Sequence, residues 1–257
     1  MVLQLIYTLA VPACSNWLMN NSYHVSGRTM DLGPITGLGW ALQSTPRGKN
    51  LAPLGCAAKL GYVAFVPTIL SVADAAMASG GLNEAGLSCD EQTLITTQMP
   101  RATNTSADLN VINFCEWALS QHTTTGGVRE SLLNGSVHVW GGPSSDGSNG
   151  LHHSLRDAAG QSLVIEYVGG KMQVFTDAND GKTGFGIMTN EPEYPWMVRN
   201  VQHFEWKRHL ARPAVTMPGT WYPDERFLRI HAVKSSMPQP KSRREAIVQV
   251  VWSRWYQ

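Results

Sequence analysis

Cys14, Arg28 and Asp31 are the first residues of the 257-residue chain whose types and spacing could do chemistry together. A cysteine attacks as its thiolate, so it needs a base or a cation close by. Cys14 follows the run "MVLQLIYTLAVPA", an apolar stretch that ends in small side chains, the pattern at which a leader is cut. With residues 1–13 removed, Cys14 would carry a thiol and a free α-amino group, whose ordinary pKa values are about 8.5 and about 7.7–8.0. The amine could then take the thiol's proton, directly or through a water, as in N-terminal Ser, Thr and Cys hydrolases. Arg28 could lower the thiol pKa, and Asp31 could hold the ammonium. On a strand, residues three apart face opposite ways, so this pair requires an irregular backbone. Two other readings of the first thirteen residues are a buried strand and a lipidation signal at Cys14, the second opposed by Pro12.

The remaining reactive side chains read more plainly. Glu84 and Asp90 could form an acid–base pair, but their polar setting reads as solvated loop carboxylates. His152 and His153 are neighbours, and neighbours on a strand point to opposite faces, which argues against a shared metal ion. The local sequence does not support a papain-like pairing of Cys14 with one of the eight histidines. Cys89 and Cys115 read as small core residues. There is no C-x-x-C pair, and a working Cys14 leaves three cysteines, room for one disulfide.

The elements that must position these groups fall in blocks. Residues 14–32 read as two strands turning at "VSGR", and "AKLGYVAFVPTIL" as a buried strand. "SGGLNEAGLSC" reads as a hairpin-like connection. "DLNVINFCEWALSQ", with Asp108 as N-cap, and "GGVRESLLNG" fit two helices. "LHHSLRD", "QSLVIEYV" and "KMQVFTD" make a meander, and "FGIMTNEP" a further strand. "YPWMVRNVQHFEWKR", "PDERFLRIHAVKSS" and "SRREAIVQVVWSRWYQ" close the chain as helices. Strands, helices, strands, helices is the order of two antiparallel sheets between helical layers. A last helix without a partner strand suggests a C-terminus that lacks further strands.

Composition narrows the function classes. A net charge of +1 and 15% charged residues offer no basic surface for nucleic acid. No apolar run reaches membrane-span length. An apolar fraction of 43% fits a single packed domain over 14–257 behind a leader at 1–13.

Cys14, "GRTMDL", "GGLNEAGL", "GIMTNEPEYPWM" and "PGTWYPDERFLR" occur in the order and rough spacing of the choloylglycine hydrolases, and from Cys14 to about Arg229 the chain resembles that family of penicillin V acylases and conjugated bile acid hydrolases. The resemblance implies an α+β fold with four αββα layers, possibly lacking its last C-terminal strands. It implies cleavage of a linear N-acyl amide, a small-molecule substrate, without metal or cofactor. Residue by residue, Cys14 matches the nucleophile and Arg28 and Asp31 the pair flanking its thiol and amine. Asn83 matches an asparagine bonded near the nucleophile's amino end, and Asn190 the side-chain donor of the oxyanion hole. The second donor, a backbone N–H, falls near Thr93, and Arg226 matches a further active-site arginine. A homo-oligomer is implied as well, the relatives often being tetramers. The leader implies a secreted or other extracytoplasmic protein, a cytoplasmic one being the alternative. Three departures stand out: the polar "SCDEQTL", a short "YVAFVPTILSVADAAMAS", and the end at Gln257. They leave a second reading, a truncated non-catalytic relative that binds acyl ligands.

Overall fold

The structure, a computed structural model, describes residues 14–19, 21–30, 39–67, 78–141, 150–178, 180, 182, 184–210 and 215–254. Asp31 and the expected leader at 1–13 lie outside the described residues. In chain order the strands are β1 (Ser15–Leu18), β2 (Ser26–Thr29), β3 (Trp40–Thr45), β4 (Asn50–Leu51), β5 (Cys56–Ala57), β6 (Tyr62–Pro67), β7 (Gly80–Asn83), β8 (Ser88–Thr93), β9 (Asp108–Asn110), β10 (His138–Trp140), β11 (Leu151–Arg156), β12 (Ser162–Val168), β13 (Lys171–Asp177) and β14 (Ile187–Thr189). The helices are α1 (Phe114–Gln121), α2 (Thr125–Leu133), α3 (Tyr194–Leu210), α4 (Pro223–Ser236) and α5 (Arg243–Ser253).

Two antiparallel sheets carry the architecture. The larger has the order β13-β12-β11-β8-β7-β6-β3 and the smaller β14-β1-β2. Side-chain alternation assigns their faces. On β8, Cys89 turns to α1, where it forms a disulfide with Cys115 across a Cα–Cα distance of 5.4 Å. The next residue, Asp90, turns the other way and meets Asn16 of β1. One face of the large sheet therefore packs on α1 and the other on the small sheet. Phe114, Leu119, Leu155, Ile165 and Tyr167 belong to the core on the α1 side. Trp17, Ile187, Met197, Phe227 and Val250 join the small sheet to α3, α4 and α5. Each such side chain contributes roughly 1.5–3 kcal/mol by burial, and Val164 of β12 carries the second cluster across to the large sheet.

The expected elements need three corrections. The segment from Asp108 is not yet helix: residues 108–110 form β9 beside β10, and a 3-10 turn over Val111–Asn113 precedes α1. Asp108 is not an N-cap, because its carboxylate accepts from Thr103 Oγ1 (2.6 Å) and Asn104 N (2.7 Å). Cys89 and Cys115 are buried as expected but are bonded to each other. The later helices start where capping chemistry puts them. Thr124 Oγ1 accepts from Gly127 N at α2, and Ser242 Oγ from Glu245 N at α5.

Candidate active site

Cys14 immediately precedes β1, and β1 lies between β14 and β2. Ser15 pairs with Thr189, which brings Asn190 alongside Cys14. Arg226, in the first turns of α4, reaches across to both. Its Nη1 donates to the Cys14 carbonyl (2.6 Å) and to Ser15 Oγ (2.5 Å). Its Nη2 donates to Asn190 Oδ1 (2.8 Å), and its Nε to the Trp221 carbonyl (3.0 Å). With Oδ1 held, the amide nitrogen of Asn190 is turned onto Thr93, donating to its carbonyl (2.9 Å) and hydroxyl (3.0 Å). Cys14, Asn190 and Arg226 are all buried, and Cys14 takes no part in a disulfide. Four expected site residues from positions up to 212 apart thus share one corner of the two sheets.

Arg28, on β2, stands opposite Asn16 of β1. It donates to Asp90 Oδ1 (3.0 Å), to the Glu91 carbonyl (2.7 Å) and to the Ser79 carbonyl. Asp90 is therefore not a solvated loop carboxylate. It is a strand residue with a 13% exposed side chain, and it also accepts from Asn16 Nδ2 at 2.5 Å. Asn16 Oδ1 accepts from Ser154 Oγ (3.1 Å), which accepts from Arg156 Nη1 (3.2 Å). This chain of polar groups ties β1, the strand that follows Cys14, to the large sheet. Gly80 makes room for it, since a Cβ there would lie 2.5 Å from Asp90 Oδ1. Glu84, by contrast, is a surface carboxylate bonded to Arg47 and to Gly61 N.

Asn83 is corrected. Its Nδ2 donates to the carbonyls of Leu119 (2.9 Å) and His122 (2.7 Å). Its Oδ1 accepts from Ala85 N (3.1 Å) and Leu87 N (2.9 Å). The carboxamide is fully engaged in the β7–β8 turn and the end of α1, and among the described residues it makes no hydrogen bond near Cys14. Thr93, ten residues on, is the residue of β8 that reaches Asn190.

Burial sets the remaining electrostatics. The Glu91 carboxyl is pushed up to about 8, chiefly by desolvation and against the pull of Arg28. His153 is pushed down to about 3 by the same cause and packs on Phe114 with ring centroids 4.3 Å apart. His152 turns to the other face and pairs with Glu166 at 3.1 Å. The two histidines thus face opposite ways, as alternation requires. No group of three or more metal-ligating side chains occurs among the described residues. Strand alternation in "SCDEQT" could have flagged Asp90 as facing inward. Nothing local could have supplied its partners, which lie 62 and 74 residues away.

Known proteins resemble this chain in sequence and in fold. A bile salt hydrolase/transferase of Clostridium perfringens (strain 13 / Type A) is 24% identical over 176 residues, 61% of this chain and 52% of that protein. The chain thus spans about half the length of that curated relative. The structure of penicillin V acylase from Agrobacterium tumefaciens superposes with a TM-score of 0.75 at 22% identity, covering 93% of this chain and 71% of that one. Two variants of conjugated bile acid hydrolase from Clostridium perfringens give 0.69 and 0.71 at 18% and 20% identity, covering 93% and 92% of this chain and 78% of each of theirs. These likenesses establish a shared mixed α and β fold. The sequence profile of the linear amide C–N hydrolases, choloylglycine hydrolase family, matches residues 14–251, and the chain belongs to that family.

Proposed function

We propose that the chain is an amidohydrolase that cleaves the C–N bond of a linear N-acyl amide, of the penicillin V or conjugated bile acid type. In this reading residues 1–13 are removed, Cys14 is the nucleophile and its α-amine is the base. The amine takes the thiol's proton, and sulfur attacks the acyl carbon. The developing oxyanion is received by the Asn190 carboxamide and the backbone N–H of Thr93. The ammonium then protonates the leaving amine, and water releases the thioester. One such donor typically contributes about 2.7–4 kcal/mol to the transition state.

The observation that carries the reading is the Arg226 fork, which holds the Cys14 carbonyl and the Asn190 carboxamide at one place. The family match beginning at residue 14 supports it too. The finer architecture is four αββα layers. The Cys89–Cys115 disulfide supports a secreted or other extracytoplasmic location. Exposed apolar side chains on α5 (Val248, Val251 and Trp252) support a homo-oligomer.

A second reading, a relative that binds acyl ligands without cleaving them, draws on the Asn190 amide hydrogens, which already face Thr93. One experiment separates the two. The protein is purified from a secretory host, its intact mass is measured, and phenoxyacetyl and glycine-conjugated amides are offered to wild type and Cys14→Ser. A chain beginning at Cys14 with hydrolysis lost in the variant supports the enzyme. Binding with equal, negligible turnover in both supports the alternative.

A further inference from the structure

The Asn190 carboxamide has a partner for every group it offers. Its Oδ1 accepts from Arg226 Nη2 (2.8 Å). Its nitrogen carries two hydrogens and has two acceptors, the carbonyl (2.9 Å) and the hydroxyl (3.0 Å) of Thr93. Asn190 itself is wholly buried. A donor in that state can receive an oxyanion only by giving up a partner it already holds.

The two acceptors differ in what it takes to move them. The Thr93 carbonyl belongs to the main chain of β8, which is pinned from several sides. Thr93 is in register with Leu151 of β11, Leu94 N donates to the Gly150 carbonyl (2.9 Å), and Ile95 N donates to Glu191 Oε1 (3.2 Å). The hydroxyl, by contrast, leaves by turning about χ1, which in threonine has a few discrete staggered positions. Solvent also comes closest on this side. Arg226, at the other end of the carboxamide, is buried, whereas Thr93 is half-buried and Ile95 is exposed.

We propose, on the reading of Asn190 as the side-chain oxyanion donor, that the Thr93 hydroxyl holds the place of the substrate's acyl oxygen and is turned out when an acyl amide binds. One hydrogen bond breaks, from Asn190 Nδ2–H to Thr93 Oγ1, and one forms, from Asn190 Nδ2–H to the acyl oxygen. The bond to the Thr93 carbonyl stays, and no proton is transferred. The displaced hydroxyl can bond to water at its half-buried position. Between substrates it satisfies a buried N–H that would otherwise stand unmet. Because the hydroxyl has gone before the transition state is reached, its displacement weighs equally on bound substrate and transition state. Its cost therefore falls on KM and leaves kcat alone.

Wild type, Thr93→Ala and Thr93→Ser are compared as full chains from a secretory host; all three keep the main-chain N–H and carbonyl of residue 93. Melting temperatures within a few degrees of one another show that each is folded. Thr93→Ala has no hydroxyl to displace, so its KM for a phenoxyacetyl amide should fall about three- to tenfold, the size of a typical net hydrogen bond. Its kcat should stay within about twofold of wild type. Thr93→Ser keeps the hydroxyl and should stay near wild type. An unchanged or higher KM in Thr93→Ala overturns the proposal, and so does a Thr93→Ser that matches it. Calorimetric titration with phenoxyacetate, whose carboxylate oxygen would take the same place, reads the competition without turnover. Tighter binding by Thr93→Ala alone, with no amide hydrolysed by any chain, supports the proposal and removes the hydrolase reading. Hydrolysis with a KM and a phenoxyacetate affinity that ignore residue 93 overturns the proposal and leaves the hydrolase reading standing. Neither binding nor hydrolysis in any of the three overturns both.

Discussion

Replacing Arg226 by lysine keeps the charge and removes the fork. A lysine nitrogen placed where Nη1 now sits could still serve the Cys14 carbonyl and Ser15 Oγ. It cannot also reach Asn190 Oδ1 and the Trp221 carbonyl, which are bonded to the other two guanidinium nitrogens. Asn190 Oδ1, left without its partner in a buried site, costs about 2 kcal/mol, whereas the carbonyl of the exposed Trp221 can turn to water. For a chain of this size that corresponds to a melting temperature lower by about 4–8 °C. The Asn190 carboxamide also loses the bond that fixes which way its N–H groups point, and kcat should fall about 10²-fold if they receive the oxyanion. Differential scanning fluorimetry reads the first quantity without any substrate, and steady-state hydrolysis of a phenoxyacetyl amide reads the second. A melting shift under about 2 °C, with kcat within threefold of wild type, would refute the claim that this guanidinium organises the site.

Other perturbations probe separate links. Asn190→Ala should lower kcat by about 10²–10³, measured on the same amide. Asp90→Asn leaves Arg28 without its carboxylate; both side chains keep some solvent contact, so the loss should be about 2 kcal/mol in urea denaturation, below the fully buried case. Cys89→Ala with Cys115→Ala opens a link between residues 26 apart and should cost about 3 kcal/mol, and a reductant should lower the wild-type melting point but not the variant's. Glu91 titrates near 8 in the fold and near 4.5 when unfolded, so between those values the unfolded chain has lost a proton that the folded chain keeps. Stability from this residue therefore falls as pH rises through that window, by about 1.4 kcal/mol per pH unit. The stability difference between Glu91→Gln and wild type should rise from pH 5 to 8 and then level off; a flat difference would contradict the burial assigned to Glu91.

The sequence was most informative where chemistry and order coincide. Cys14 stood out by its place behind an apolar run, whereas Asn83, Asn190 and Arg226 were each ordinary residues alone and only their joint order along the chain lifted them. The meander of β11, β12 and β13 and the three late helices followed from periodicity and caps. Asn83 misled because the carboxamide that suits an active site also suits a tight turn, and here it ties the turn to carbonyls of α1. Asp90 was missed because its character is set by strands that reach it from the other sheet. His152 shows the same limit: alternation gave its direction, but not Glu166, the partner that β12 brings to it.

The bond between Arg226 and the Cys14 carbonyl joins positions 212 residues apart. During synthesis, at roughly 5–20 residues per second, the thiol exists for at least about ten seconds before the arginine that completes its surroundings has been made. Throughout that interval it is an ordinary cysteine beside an exposed, unfinished sheet. The hairpin of β7 and β8 with α1 closes within some forty residues and can form early, since local contacts form fastest. Whatever surroundings Arg226 gives Cys14 are thereby deferred until the two ends of the domain meet, by the order in which the parts arrive.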